Sequence, residues 1–198
     1  MKEKKYELIL QQLQALLEGE HDMIANMANM AALLFHELPD LNWAGFYLMK
    51  NNELVLGPFQ GKAACMHIPS GKGVCGTCAL QRCTQLVENV HTFPSHIACD
   101  SASNSEIVVP LIKENTLLGV LDVDSPILAR FDTIDQHYLE QAVAILLDVY
   151  KRQGCRLELQ SNKSGIPTAA PRILAYTSLR LPPILYIFDQ NYSTTVAS

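Results

Sequence analysis

The chain reads as an α+β protein, a single domain with a mainly antiparallel central sheet flanked by helices and an irregular C-terminal tail. Three observations lead there. Apolar residues recur at helical spacing over residues 8–38 and again over 132–150. Between those stretches the period switches to short apolar runs joined by tight, Asn-bearing turns, which points to hairpins rather than crossovers. From Lys151 onward neither period is sustained, and four of the ten prolines fall there.

In order, Leu8, Leu10, Leu13, Leu16 and Leu17 set out a first helix that Gly19 can stop. A second helix runs from about Asp22 to Leu38, with Ile24, Met27, Ala28, Ala31, Leu34 and Phe35 on its apolar face. Its methionines read as gap-filling core. Trp43 to Met49 is a strand, Asn51-Asn52 a turn and Glu53 to Leu56 the returning strand. Met66-His67-Ile68 is a short strand, Thr77 to about Cys83 a short helix, and Gln85-Leu86-Val87 another strand. Glu106 to Ile112 and Leu117 to Val123 form a second hairpin across Lys113-Glu114-Asn115. Asp132 can cap a last helix, which carries Ile134, Tyr138, Leu139, Ala142, Ile145 and Leu146 and ends near Tyr150. The domain is therefore placed at 1–150. The segment 151–198 is a tail of low order with no legible function, although a short strand fits Ile184 to Phe188.

Charge narrows the function. The formal net charge is −5, but residues 151–198 carry six basic and two acidic groups, which leaves 1–150 with nine basic and eighteen acidic ones. A domain that acidic is a poor partner for a phosphate backbone, so nucleic acid is excluded. No run approaches the roughly 18 apolar residues of a membrane span, and Met1-Lys2-Glu3-Lys4-Lys5 does not open a signal peptide. The expected compartment is the cytoplasm, where structural disulfides are rare. Six cysteines there suggest core filler, metal ligands or catalysts.

Gly71-Lys72-Gly73-Val74-Cys75-Gly76 matches a dinucleotide fingerprint literally. A βαβ crossover needs about 30 residues, more than lie between Met66 and Glu88, so these glycines read as turn formers beside Cys75. Cys75-Gly76-Thr77-Cys78 is a Cys-x-x-Cys at the start of a helix, where the dipole would lower a thiol pKa. No second metal-binding pair accompanies it, so no metal is assigned, and Cys78 and Cys83 read as helix-packing residues. His67, His91 and His96 read as surface or hydrogen-bonded histidines. Asp122 and Asp124 alternate with Leu121 and Val123, so both acids face one side of a strand, and Glu106 on the partner strand can reach that side. Carboxylates facing a core are costly unless satisfied, so this face should line a cavity or ligand. Three carboxylates around one pocket suit a cationic group such as an ammonium, or a protonated carboxyl that acts as an acid. Cys99, in His96-Ile97-Ala98-Cys99-Asp100, sets a soft nucleophile among small residues and acids.

Five blocks together carry a resemblance. Asn42-Trp43-Ala44-Gly45-Phe46-Tyr47, Gly57-Pro58-Phe59-Gln60-Gly61-Lys62, Gly73-Val74-Cys75-Gly76-Thr77, His96-Ile97-Ala98-Cys99-Asp100 and Gly119-Val120-Leu121-Asp122-Val123-Asp124-Ser125 resemble the GAF-domain free methionine-(R)-sulfoxide reductases over about residues 1–150. The resemblance implies a metal-free, cofactor-free homodimeric enzyme that is recycled by thioredoxin. It matches Cys65, Cys75 and Cys99 to the family's cysteines, Glu106, Asp122 and Asp124 to its pocket acids, and Trp43 and Tyr47 to its aromatic wall. Cys78, Cys83 and the tail fall outside the pattern. On this basis Cys99 attacks the sulfoxide, Cys65 resolves, and Cys75 serves as relay or second partner. The opposite assignment, with Cys75 attacking and Cys99 resolving, stays open. The alternative from a different class is a GAF sensor module that binds a small ligand without turnover.

Overall fold

In the computed structural model, residues 1–161 are described except His96 and Ala98, with side chains described as far as Val149. Helices α1 (Lys2–Leu17) and α2 (Met23–Glu37) lead into the hairpin β1 (Trp43–Lys50) and β2 (Glu53–Gly61), then β3 (His67–Pro69). Helix α3 (Gly73–Gln81), strand β4 (Gln85–Val87) and a 3₁₀ turn (Val90–Thr92) follow, then β5 (Ser105–Lys113), β6 (Thr116–Ser125) and α4 (Thr133–Ser161). The strands form one sheet in the order β3-β2-β1-β6-β5-β4. Every pairing in it is antiparallel.

Local chemistry explains the elements. Both hairpins turn on two consecutive residues with positive φ, Asn51-Asn52 and Glu114-Asn115. That geometry matches the twist of the strands it joins. Asp22 caps α2 by accepting from the Ala25 amide at 2.9 Å, and Asp132 caps α4 by accepting from the Ile134 and Asp135 amides. One sheet face packs on α1, α2 and α4 around Tyr6, Leu13, Met30, Leu34, Phe46, Ile107, Leu121, Leu139 and Leu146. The other face carries α3 and a second apolar cluster built on Trp43, Tyr47, Leu54, Val74, Cys78, Val108 and Val120. Helix α3 joins β3 at one edge of the sheet to β4 at the other, and so crosses that face.

Four expectations shift. The buried face of α1 is Tyr6, Ile9, Leu13 and Leu17, while Leu8 and Leu16 are exposed, as is Ile24 of α2. The short helix starts at Gly73 rather than Thr77, because Gly73 takes a φ of +62° and turns the chain straight into it. Cys83 lies beyond the end of α3 and is exposed rather than helix-packing. Helix α4 continues to Ser161 instead of ending near Tyr150, since no proline interrupts the chain until Pro167. Residues 162–198, including the strand expected at Ile184 to Phe188, lie outside the described residues.

Candidate active site

The site lies on the α3 side of the sheet, at the end of β1, β5 and β6. Trp43 pairs with Asp124, Glu106 with Asp124 and Val108 with Asp122 across these strands. The even-numbered side chains of β5 and β6 therefore project together on the side of Trp43, away from Ile107, Leu121 and Val123 in the first core. Asp122 and Glu106 are 6% and 7% exposed, so they are not strand-edge acids in solvent. Ser103 hydrogen-bonds Asp124, and Glu106 bonds Asp122.

Cys65 and Cys99 are joined in a disulfide with a Cα–Cα distance of 5.4 Å. It ties the segment after β2 to the loop before β5. An ion pair between Lys62 and Asp100 at 3.5 Å joins the same two segments. Asn42 steadies the loop from below, donating from Nδ2 to Asp100 Oδ2 at 3.2 Å and to Ser103 Oγ at 2.9 Å. The Ala102 amide, followed by Asn42 and Lys62, holds the Asp100 carboxyl below its ordinary pKa. Sequence reasoning missed Asn42, Lys62 and Ser103 as supports. Their contacts join segments about 20 to 60 residues apart, and no local pattern announces them.

Cys99 stands between two small cavities. One, of about 30 Å³, is lined by Tyr47, Cys75, Ile97, Cys99, Glu106, Asp122 and Asp124, among others. The other, of about 20 Å³, lies against Trp43, Tyr47, Ala63, Ala64 and Asp122. Such volumes hold a water or two. The aromatic wall is a stack: the Trp43 ring lies 5.8 Å from Tyr47 and 5.3 Å from Phe59. Phe59 lies in the Gly57 to Lys62 stretch, where no local pattern marks it as part of this wall. Gly45 makes the stack possible, since a Cβ there would stand 2.3 Å from Phe59 Cβ and 2.7 Å from the Trp43 ring.

The electrostatics follow from burial. Desolvation, then the neighbouring carboxylates, push Glu106 and Asp124 well above the ordinary carboxyl range. Desolvation also raises Asp122, to about 6, against hydrogen bonds that favour its ionised form. Cys75 donates to Glu106 Oε1 at 3.7 Å. Its thiol is raised well above its usual value by burial, then by Asp122, Glu106 and Asp124. This overturns the lowered pKa expected from the helix dipole: a partial charge at the start of a short helix does not offset desolvation plus three acids. Cys75 and Cys78 are both free, and Cys78 donates instead to the Val108 carbonyl. His67 pairs with Glu53 and His91 with Asn104, both exposed and away from the cavities, while His96 lies outside the described residues. Among the described residues, Cys75, Glu106 and Asp122 bring potential metal-ligand atoms together.

A GAF domain model matches residues 25–146. The chain is 54% identical over 132 residues to the free methionine-R-sulfoxide reductase of Escherichia coli, covering 67% of this chain and 80% of that one. This chain belongs to the GAF-domain free methionine-(R)-sulfoxide reductases. The Saccharomyces cerevisiae member is 42% identical over 153 residues, 73% of this chain and 85% of its own. The Neisseria meningitidis enzyme, solved in complex with its substrate, superposes with a TM-score of 0.75 at 44% identity, over 78% of this chain and 94% of that one.

Proposed function

We propose that this enzyme reduces free L-methionine-(R)-sulfoxide to methionine, with Cys99 as the attacking thiol and Cys65 as its resolving partner. The Cys65–Cys99 disulfide carries this reading, because one of its sulfurs belongs to a residue lining a cavity walled by four acids, Asp100, Glu106, Asp122 and Asp124. Membership in the reductase family supports the substrate.

A sulfoxide sulfur is a weak electrophile until its oxygen is protonated. Buried, proton-holding Glu106 and Asp124 suit that task, directly or through a water. The Cys99 thiolate attacks the sulfur, the oxygen passes to Cys99 as a sulfenic acid, and methionine leaves with the electron pair. Cys65 then condenses with the sulfenic acid, forming the disulfide and releasing water. A dithiol reductant, thioredoxin, exchanges with the disulfide and restores both thiols. Asp122 with Glu106 takes the substrate ammonium, the Trp43 and Tyr47 faces enclose the methyl and thioether end, and amides near Ile97 to Cys99 receive the carboxylate. Burial counts against Cys75 as the attacker, since a thiol kept neutral first by desolvation and then by the neighbouring acids is a poor nucleophile.

This cycle requires a reducing compartment, which supports a cytoplasmic setting, and no helix among the described residues is long and apolar enough to cross a membrane. A homodimer, without metal or bound cofactor, is the working form. The decisive assay couples NADPH oxidation to thioredoxin reductase, thioredoxin and free methionine-(R)-sulfoxide. Turnover on the free amino acid, well above that on peptide-bound sulfoxide, is expected. Ligand binding without turnover would instead mark a GAF sensor.

A further inference from the structure

Cys75 has no step in the oxidation cycle above, yet it sits where charge is concentrated. Its Sγ, one carboxylate oxygen of Glu106 and one of Asp122 all lie within 4.8 Å of one another, and all three residues are buried. The sulfur stands 3.7 Å from Glu106 Oε1. Around a tetrahedral zinc ion, with bonds of about 2.3 Å to sulfur and 2.1 Å to oxygen, a sulfur and an oxygen ligand stand roughly 3.6 Å apart. The pair is already at that spacing.

Asp122 gives a second and independent indication. It is 6% exposed, lines both small cavities, and its Oδ1 is shielded from solvent with no hydrogen-bond partner. Leaving a buried acceptor unmet is costly. The oxygen therefore asks for a ligand that brings a donor or a positive charge.

We propose that Cys75, Glu106 and Asp122 form a three-ligand site for a thiophilic divalent cation, Zn²⁺ or Cd²⁺, which competes with the ammonium group of the substrate. One thiolate with two carboxylates suits these borderline-soft ions, whereas Mg²⁺ and Ca²⁺ prefer sets of six or more oxygens. Three protein ligands leave a fourth position for water on the cavity side, the pattern of an open site. On binding, the Cys75 thiol proton and any proton held by the carboxyl pair pass to solvent, and no group changes oxidation state. The binding stands on geometry alone. Its competition with substrate rests on the function proposed above.

The test uses the oxidised chain, in which Cys65 and Cys99 are tied in their disulfide and cannot take metal. Titration with Cd²⁺ is followed by the ultraviolet thiolate-to-cadmium charge-transfer band. One Cd²⁺ per chain is expected, with the band abolished in Cys75→Ser and unchanged in Cys83→Ser, which removes the exposed thiol among the described residues, and in Cys155→Ser. Asp122→Asn keeps the thiol and should weaken Cd²⁺ about tenfold or more, so the proposal stays testable even where Cys75→Ser folds poorly. A band that persists in Cys75→Ser, disappears in Cys83→Ser or is indifferent to Asp122→Asn overturns the site. In a Cys65→Ser/Cys99→Ser chain, free methionine-(R)-sulfoxide should displace the ion, and failure to do so although the sulfoxide binds overturns the competition. Absence of sulfoxide binding by calorimetry counts against the functional reading instead, and the cadmium band then decides the metal site alone.

Discussion

Cys65, Cys75 and Cys99 share a chemistry and differ in surroundings, and the differences set what each substitution should do. On the proposed mechanism Cys99→Ser removes the atom that accepts the sulfoxide oxygen, so a single-turnover assay should release no methionine. Cys65→Ser should still release one methionine per chain and then stop, with a sulfenic acid on Cys99 detectable by a dimedone-type trap. Cys75→Ser should also give that first methionine; loss of it would restore the opposite assignment of attacker. The acids make a pH prediction. The Asp122 carboxyl is raised from 3.8 to about 6 by burial, and Glu106 and Asp124 are raised as well. The folded chain then holds protons that the unfolded chain gives up near pH 4. Stability present below that pH is lost as pH rises through about 6 and beyond. Asp122→Asn removes this penalty, a gain on the order of 2–3 kcal/mol at pH 8 from a shift of that size and none at pH 4. Chemical denaturation of both proteins at the two pH values measures it, and equal effects at both would contradict the assigned cause.

At the scale of elements, strands and acids were more legible than helix ends and loops. Alternation along Leu121-Asp122-Val123-Asp124 placed both carboxylates on one face because a strand has a period of two whatever surrounds it. The start of α3 was not legible, since the helix begins four residues early on the positive φ of Gly73, and glycine advertises freedom without saying how it is used. The burial that raises the Cys75 pKa was hidden for the same reason: it depends on β5 and β6 lying under the helix. The face of α1 was legible only in part: Leu13 and Leu17 are buried as their spacing implies, but Tyr6 supplies the anchor. Its hydroxyl donates to Asp135 Oδ1 at 2.7 Å, and its ring stacks on Tyr138 at 5.0 Å. Asp135 is fully buried and also pairs with Lys2 and Arg130 and accepts from the Asp132 amide at 2.8 Å. Asp135→Ala therefore strands a buried hydroxyl and a largely buried guanidinium at once and should cost about 3–5 kcal/mol. A loss below about 1 kcal/mol in urea denaturation would show that α1 and α4 are held by apolar packing alone.

Across the whole domain, two sheet faces do different work. The α1–α2–α4 face is closed by apolar contact, and the α3 face by one helix and two loops that a disulfide and the Lys62–Asp100 pair hold together. With that bond made, the cavities beside Cys99 amount to about 30 and 20 Å³, room for water but not for an amino acid of methionine's size. Substrate entry is therefore expected to part the loop carrying Cys99 from the segment carrying Cys65, a movement that the disulfide between them would restrain. On the proposed cycle, the bond that ends the catalytic step would also keep the site closed until the reductant arrives. Calorimetric titration of free methionine-(R)-sulfoxide into the oxidised wild-type chain and into Cys99→Ser, which cannot form the bond, tests this directly. Binding at least about tenfold weaker to the oxidised chain is expected, because only the unlinked chain populates the open form. Equal affinities would mean that the loops open around an intact disulfide, and that closure is set by Asn42, Asp100 and Ser103 instead.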